Sequence, residues 1–258
     1  MGASDAAPLL QARELHKSYG SVQALRGASF DLAAGEVVAL IGDNGAGKST
    51  LVKCLSGVEQ PDEGEILIDG APVVLDTPTA ARRLGIETAY QDLAVAPDLD
   101  PAANLFLGRE LRRPGLLGAL GMLDNAAMRR QAAEQFGRLG VTLPDLDVPI
   151  GALSGGQRQS VAVARSVVWA GRVVFLDEPT AALGVVQRER VLDVIRRVRD
   201  TGVAVVLISH NMPEVLAVAD RIEVLRLGAR VARFSGVEAT LERLVGAMTG
   251  ALAHEEDR

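Results

Sequence analysis

The sequence has little that would carry it out of a cell or into a bilayer. One cysteine, Cys54, stands among 258 residues, so no intramolecular disulfide can form and a reducing cytoplasm fits. Its expected place is as a small apolar side chain packed in the core. No apolar run approaches the roughly 18 to 20 residues that a spanning helix needs. The start, Met1-Gly2-Ala3-Ser4-Asp5-Ala6, lacks the basic and apolar regions of a secretion signal. It also puts Ala6 where a myristoylation site needs Ser or Thr. Positive charge is not in excess: the net charge is −6, acids and bases are interspersed, and no basic stripe exists. Nucleic acid is therefore not favoured as a partner. Internal repeats, low-complexity tracts and a second phosphate loop are also missing. The expectation is a chain soluble by itself, with any membrane role coming through a partner.

What is present is 48% apolar residues, enough for one sizeable core with a smaller subdomain attached. The most informative stretch is Gly42-Asp43-Asn44-Gly45-Ala46-Gly47-Lys48-Ser49-Thr50. It follows the apolar run Val37–Ile41, which predicts a buried strand. It precedes Leu51-Val52-Lys53-Cys54-Leu55, which predicts a helix closing at Gly57. Strand, glycine-rich loop and helix N-terminus form the context of a phosphate-binding loop. The glycines let successive N–H groups converge on an anion, and the helix dipole adds positive potential there. Lys48 would reach the outer phosphates and the Ser49 hydroxyl would ligate a magnesium ion. The alternative, an ordinary glycine-rich turn, does not require every motif position to be filled. A nucleoside triphosphate is the expected ligand.

Elsewhere the pattern predicts an edge strand over Leu10–Leu15, a polar turn carrying Tyr19, and a short strand over Phe30–Leu32. It predicts further strands at Glu65–Ile68 and Ile86–Tyr90, with Asp69-Gly70 as a hairpin turn. From Asp92 to about Gly151 strand signals thin out, and a helix is expected over Ala126–Leu139, capped by Asp124 and closed by Gly140. Ser154 and Gln157 have capping-box spacing, so a helix begins there and runs to about Trp169. Val173–Leu176 and Val203–Ile208 are expected strands, Gln187–Arg199 and Val237–Met248 expected helices, and Arg221–Leu225 a short strand. The fold class expected is α/β, a P-loop NTPase core with an antiparallel β subdomain and an inserted helical subdomain. Core segments would be residues 9–91 and 152–250, the helical subdomain 92–151, and the tails 1–8 and 251–258.

Asp177 and Glu178 end an apolar strand downstream of the phosphate loop. One carboxylate there can hold magnesium opposite Ser49, usually through water, and its neighbour can polarise an attacking water. Both could instead simply end a strand at the surface. His210 also ends an expected strand. A lone histidine in a loop is commonly just hydrogen-bonded, but beside the other motifs it is a candidate γ-phosphate contact.

With these residues in place, Leu153-Ser154-Gly155-Gly156-Gln157 resembles the signature of ABC-type ATPases. The other motifs of that family follow in order: Tyr19, the phosphate loop, Gln91, the signature, Asp177-Glu178 and His210. The resemblance covers about Leu9 to Gly250. It implies that Tyr19 stacks on adenine, and that Gly42, Asn44, Gly45, Gly47, Lys48, Ser49 and Thr50 wrap the phosphates of ATP. It implies that Ser49, Gln91 and Asp177 attend Mg2+, with Gln91 also signalling to a membrane partner. Glu178 would be the catalytic base, with His210, Gln91 and Lys48 beside it. Ser154, Gly155, Gly156 and Gln157 would cap the ATP of a second copy, so dimerisation is implied. Tyr90–Ala94, Asn104–Glu110 and Ala247–Gly250 resemble ATP-binding subunits of ribose, xylose and fructose importers. Their partners are a transmembrane permease and, indirectly, a substrate-binding protein, which puts the subunit on the cytoplasmic face of the cell membrane. Another cargo, such as an amino acid or lipid, and a soluble non-transport ABC ATPase are the alternatives. One departure stands out: Thr180-Ala181-Ala182-Leu183-Gly184 has glycine where most family members carry an aspartate that links the two sites. Gly184 could be a turn residue needing positive φ or a plain replacement.

Overall fold

Runs of apolar residues without polar alternation build the centre of the molecule. The computed structural model describes residues 8–89, 95–181 and 183–251. The first part of the chain gives β1 (Leu10–Tyr19), β2 (Val22–Leu32), β3 (Val37–Ile41) and α1 (Lys48–Leu55), then β4 (Glu63–Ile68) and β5 (Ala71–Val73). After α2 (Pro78–Arg83) and β6 (Ile86–Ala89) come three helices, α3 (Pro101–Phe106), α4 (Leu116–Ala119) and α5 (Asn125–Leu139). The second half gives α6 (Gly155–Trp169), β7 (Val173–Asp177), α7 (Val185–Asp200), β8 (Ala204–Ile208) and α8 (Met212–Val218). It ends with β9 (Arg221–Arg226), β10 (Ala229–Ser235) and α9 (Leu241–Thr249).

Two sheets result. The larger has the order β10-β9-β3-β8-β7-β6, and its pairs are parallel except β10 with β9. The smaller is antiparallel, in the order β2-β1-β4-β5. The strands β3 and β8 are covered on both faces and carry only apolar residues, as β7 does up to Asp177. In β7, Val173 and Phe175 join a core shared with α1 and the small sheet, while Val174 and Leu176 join one shared with α3, α5, α6 and α7. β8 alternates in the same way, Val206 and Ile208 to the first core, Val205 and Leu207 to the second. Cys54 lies in the first core, and burial pushes its thiol up to about 11.

A charged clamp ties the sheets together. Arg221 on β9 reaches Glu36 Oε1 at 2.7 Å and donates to the Asp31 carbonyl of β2 at 2.7 Å. Glu223, fully buried, pairs with Arg221 and lies 2.8 Å from Nε of Arg233. Burial pushes the Glu223 carboxyl up despite these arginines.

Several sequence expectations are corrected. β1 is not an edge strand: it sits between β2 and β4 and continues as strand to Tyr19. The short strand expected at Phe30–Leu32 is the end of an eleven-residue strand. The last helix starts at Leu241 rather than Val237, because Thr240 Oγ1 accepts from Arg243 N while Val237 is 99% exposed. Gly184 has φ −70° and ψ 165° and is the N-cap of α7, which starts at Val185 rather than Gln187. The positive-φ reading of Gly184 is therefore wrong, and no side chain caps α7. A Cβ there would meet the end of the flexible Gln187 side chain, its Oε1 at 2.8 Å and its Cδ at 3.8 Å. Gly184→Asp should supply the missing cap and raise stability by about 0.3 kcal/mol. A higher urea midpoint with unchanged slope is the expected result; a large fall in midpoint would reveal a packing constraint at this position.

Candidate active site

The phosphate loop is shaped by two glycines. A Cβ on Gly42 would come within 2.3 Å of the Leu225 carbonyl, and one on Gly47, at φ +101°, within 2.6 Å of the Ala24 carbonyl. Asn44 and Gly45 are exposed at the crest. Lys48 folds back across the loop, its Nζ donating to the carbonyls of Gly42 at 2.7 Å and Asp43 at 3.0 Å. Burial lowers its pKa, while the charges of Glu178, Asp43 and Asp177 act the other way. No side chain caps α1, and a helix leaves its first N–H groups without intrahelical partners. Lys48, Ser49 and Thr50 occupy that first turn, so the loop and helix start offer donors fitting a polyphosphate.

Asp177 and Glu178 stand at the end of β7, beside the end of β8. Asp177 pairs with Ile208, and Glu178 N donates to the Ile208 carbonyl at 2.9 Å. Glu178 has φ +49°, a conformation that costs a non-glycine residue about 1 kcal/mol or more. His210, exposed on the β8–α8 connection, donates its backbone N–H to Glu178 Oε1 at 3.0 Å, and its Nδ1 lies 2.7 Å from the same oxygen. Burial and the Glu178 charge push the Asp177 carboxyl up, with Lys48 opposing them. Among the described residues no three His, Cys, Asp or Glu side chains converge on a cation position. The Ser49 hydroxyl and Asp177 carboxylate are hard oxygen donors, a set suited to magnesium completed by water and phosphate.

Tyr19 ends β1 with its ring half exposed, and its hydroxyl donates to Glu59. Burial and that bond push the phenol up to about 12, with Thr50 of the phosphate loop acting the other way. The signature residues lie apart from this group. Ser154 Oγ accepts from Gln157 N at 3.3 Å and Gln157 Oε1 accepts from Ser154 N at 3.0 Å, closing the capping box on α6. Gly155 is exposed, whereas Gly156 is buried so closely that a Cβ would lie 2.3 Å from Gln187 Cγ. Ser154, Gly156 and Gln157 line a cavity of about 380 Å³ with Thr142, Gln187 and Arg190, and no phosphate-loop residue, Asp177, Glu178 or His210 borders it. A second cavity, about 370 Å³, runs from Asp177 to Glu87, Leu107, Arg109 and Trp169. Arg109 stacks over the Trp169 ring at 4.8 Å. Gln91, with Tyr90 and Asp92–Ala94, lies outside the described residues.

Sequence reasoning missed Glu214. It is 3% exposed, and its carboxylate accepts from the Thr180 hydroxyl and from Asn211 Nδ2 at 2.8 Å, with Arg188 Nε 2.8 Å away. The available signal was an acid four residues after His210 at the start of a helix, a weak pattern by itself.

A nucleotide loop on a parallel sheet, with adjacent carboxylates and a histidine at neighbouring strand ends, defines a P-loop ATPase. The ABC transporter family model matches residues 25–181, and the chain belongs to the ABC transporter family. It is similar to the fructose import ATP-binding protein FrcA of Rhizobium meliloti, 51% identical over 95% of both chains. It is 43% identical to the xylose/arabinose import ATP-binding protein XylG of Sulfolobus acidocaldarius, over 93% of this chain and 94% of that one. Of the ribose import relatives it matches, the chain spans about half the length, 47% in a 43% identical protein of Burkholderia pseudomallei. In fold it is similar to the ADP form of an ATP-binding cassette of an ABC transporter, with a TM-score of 0.76 at 22% identity, covering 95% and 96% of the two chains. It is similar also to a dimeric cassette in a post-hydrolysis state bound to ADP and Pi, with a TM-score of 0.72 at 23% identity, covering 88% and 98%.

The raised carboxyl of Asp177 has a thermodynamic consequence. Its folded pKa exceeds its unfolded one, so ionisation costs stability above the folded pKa, and that cost disappears as pH falls below the ordinary carboxylate range. Asp177→Asn should therefore raise the melting temperature of the nucleotide-free protein at pH 7, with the gain shrinking in acid. Calorimetry at both pH values checks this, and a lower melting point at pH 7 contradicts it.

Proposed function

We propose that this chain is the ATP-hydrolysing subunit of a monosaccharide importer, working as a pair of identical copies beneath a permease. The observation that carries the reading is the Glu178–His210 pair set within the electrostatic reach of Lys48. The likeness to fructose and xylose/arabinose import subunits over nearly the whole chain supports the cargo class.

In this reading Tyr19 stacks on adenine, and Gly42, Asn44, Gly45, Gly47, Lys48 and Thr50 surround the phosphates. Ser49 and Asp177, with Gln91, would hold magnesium, which neutralises phosphate charge and fixes its orientation. Glu178 takes the proton of a water as its oxygen adds to the γ-phosphorus and the bond to the bridging oxygen breaks. His210, held through Nδ1, presents its other ring nitrogen to the γ-phosphate. The fixed positive charge of Lys48 counters the charge developing on the phosphoryl oxygens.

The separate cavity beside Ser154 and Gly156 supports a site completed by a second copy, whose α6 start would face the first copy's nucleotide. The cavity from Asp177 to Arg109 and Trp169 supports docking of a permease between the core and a helical subdomain of residues 92–151. A substrate-binding protein would deliver sugar to that permease from the other side of the membrane. No helix among the described residues is long and apolar enough to cross a bilayer, so attachment to the cytoplasmic face would come through the permease.

Lys48→Ala should reduce ATP turnover by at least about a hundredfold; parental turnover by that variant would sink the site assignment. Glu178→Gln should keep ATP binding, lose hydrolysis and accumulate as a dimer with ATP in light scattering, whereas a strictly monomeric protein at high ATP would overturn the paired site. In cells, deleting the gene should abolish uptake of one monosaccharide and spare amino acid uptake.

A further inference from the structure

We infer that Glu214 is a positioning residue of the hydrolytic site, bridging the segment after Glu178 to the segment carrying His210. The inference rests on the ATP-hydrolysing reading above and concerns a residue to which that reading gives no role.

A carboxylate withdrawn from water needs donors to offset its lost hydration. Glu214 draws donors from two segments and an opposite charge from a third. The Thr180 hydroxyl, two residues beyond Glu178, donates to Oε2. The Asn211 side chain, next to His210, donates to Oε1 at 2.8 Å. Arg188 on α7 brings its Nε to 2.8 Å from Oε1, and its Nη2 donates to the Leu183 carbonyl at 3.3 Å. Asn211 is the N-cap of α8, yet its side chain makes no cap bond and turns to Glu214 instead. Its own N–H is occupied by Ser209 Oγ at 3.0 Å.

The pair Glu178–His210 is thus closed into a ring. On one side lie the direct bonds from His210 to Glu178 Oε1. On the other lies the bridge Thr180–Glu214–Asn211. The left-handed backbone of Glu178 is tied to β8 by its own N–H, bonded to the Ile208 carbonyl at 2.9 Å, so what the bridge has to position is the segment that carries His210. His210 sits on a short connection with its side chain 79% exposed, so little packing holds the ring in place. An acid in the first turn of α8 also interacts favourably with the helix dipole. That effect alone would leave turnover per folded molecule unchanged.

The test uses the purified full-length chain, its ATPase followed at a temperature where circular dichroism shows every variant folded. Glu214→Ala should lower kcat by about tenfold or more while the KM for ATP stays within about twofold, because small misplacements of reacting groups are costly. In a His210→Ala background, measured in single turnover, the same substitution should cost less than about twofold, since no histidine remains to be positioned. Equal losses in both backgrounds, a parental kcat, or a loss confined to KM would overturn the inference. Should Glu214→Ala not fold, Thr180→Val removes one donor from the bridge and should lower kcat with KM unchanged; parental turnover there is equally adverse. A parent with Lys48-dependent turnover and an indifferent Glu214 overturns this inference alone. A parent without such turnover overturns the reading beneath it as well.

Discussion

Burial of the large sheet on both faces is the constraint from which the site follows. The interior positions of β3, β7 and β8 are apolar because each is enclosed by one of three cores, Ala39 and Ile41 of β3 by the one packed under α8 and α9. Polar chemistry is therefore displaced to where the strands stop. Since β3, β8 and β7 are parallel neighbours, they stop along the same edge. One end supplies the phosphate loop, the next Ser209 and His210, and the third Asp177 and Glu178. The position of the site outside the carboxyl ends of a parallel sheet is a product of packing before it is a product of chemistry.

What could be read from the residues divides along the same line. The phosphate loop, the capping box and the apolar pentads are local, and the structure places each where its pattern points. β1 was harder, because its inward positions are Leu10, Ala12 and then Leu15, with a register shift between Ala12 and Leu15 and Glu14 at φ +48°. A bulge of that kind breaks the alternation from which strand length and burial are judged. The meeting of His210 with Glu178 depends on two strands becoming neighbours, and Glu214 is recognisable only once Thr180, Arg188 and Asn211 surround it. Pattern gives candidates; only topology gives their partners.

Gly184 shows what a missing side chain leaves behind. The segment leading to Gly184 is held from within its own chain, by Thr180 on Glu214 and Leu183 on Arg188. Gly184 itself has ordinary backbone angles, so glycine is not demanded by geometry. The segment is thus anchored without any acid at position 184.

The clamp around Glu223 has a consequence for how the molecule comes apart. Its members come from β9 and β10 of one sheet and from β2 and the turn before β3, which lead out of the other. Peeling the small sheet away would remove Asp31 from Arg221, Arg230 and Arg233, leaving these three guanidinium groups gathered round Glu223 with one carboxylate fewer among them. Like charges crowded together with too few opposite charges between them raise the free energy of such an opened state. Partial opening between the sheets is thereby penalised relative to complete unfolding, so the strand that bears Tyr19 and the loop that bears Lys48 belong to one cooperative unit.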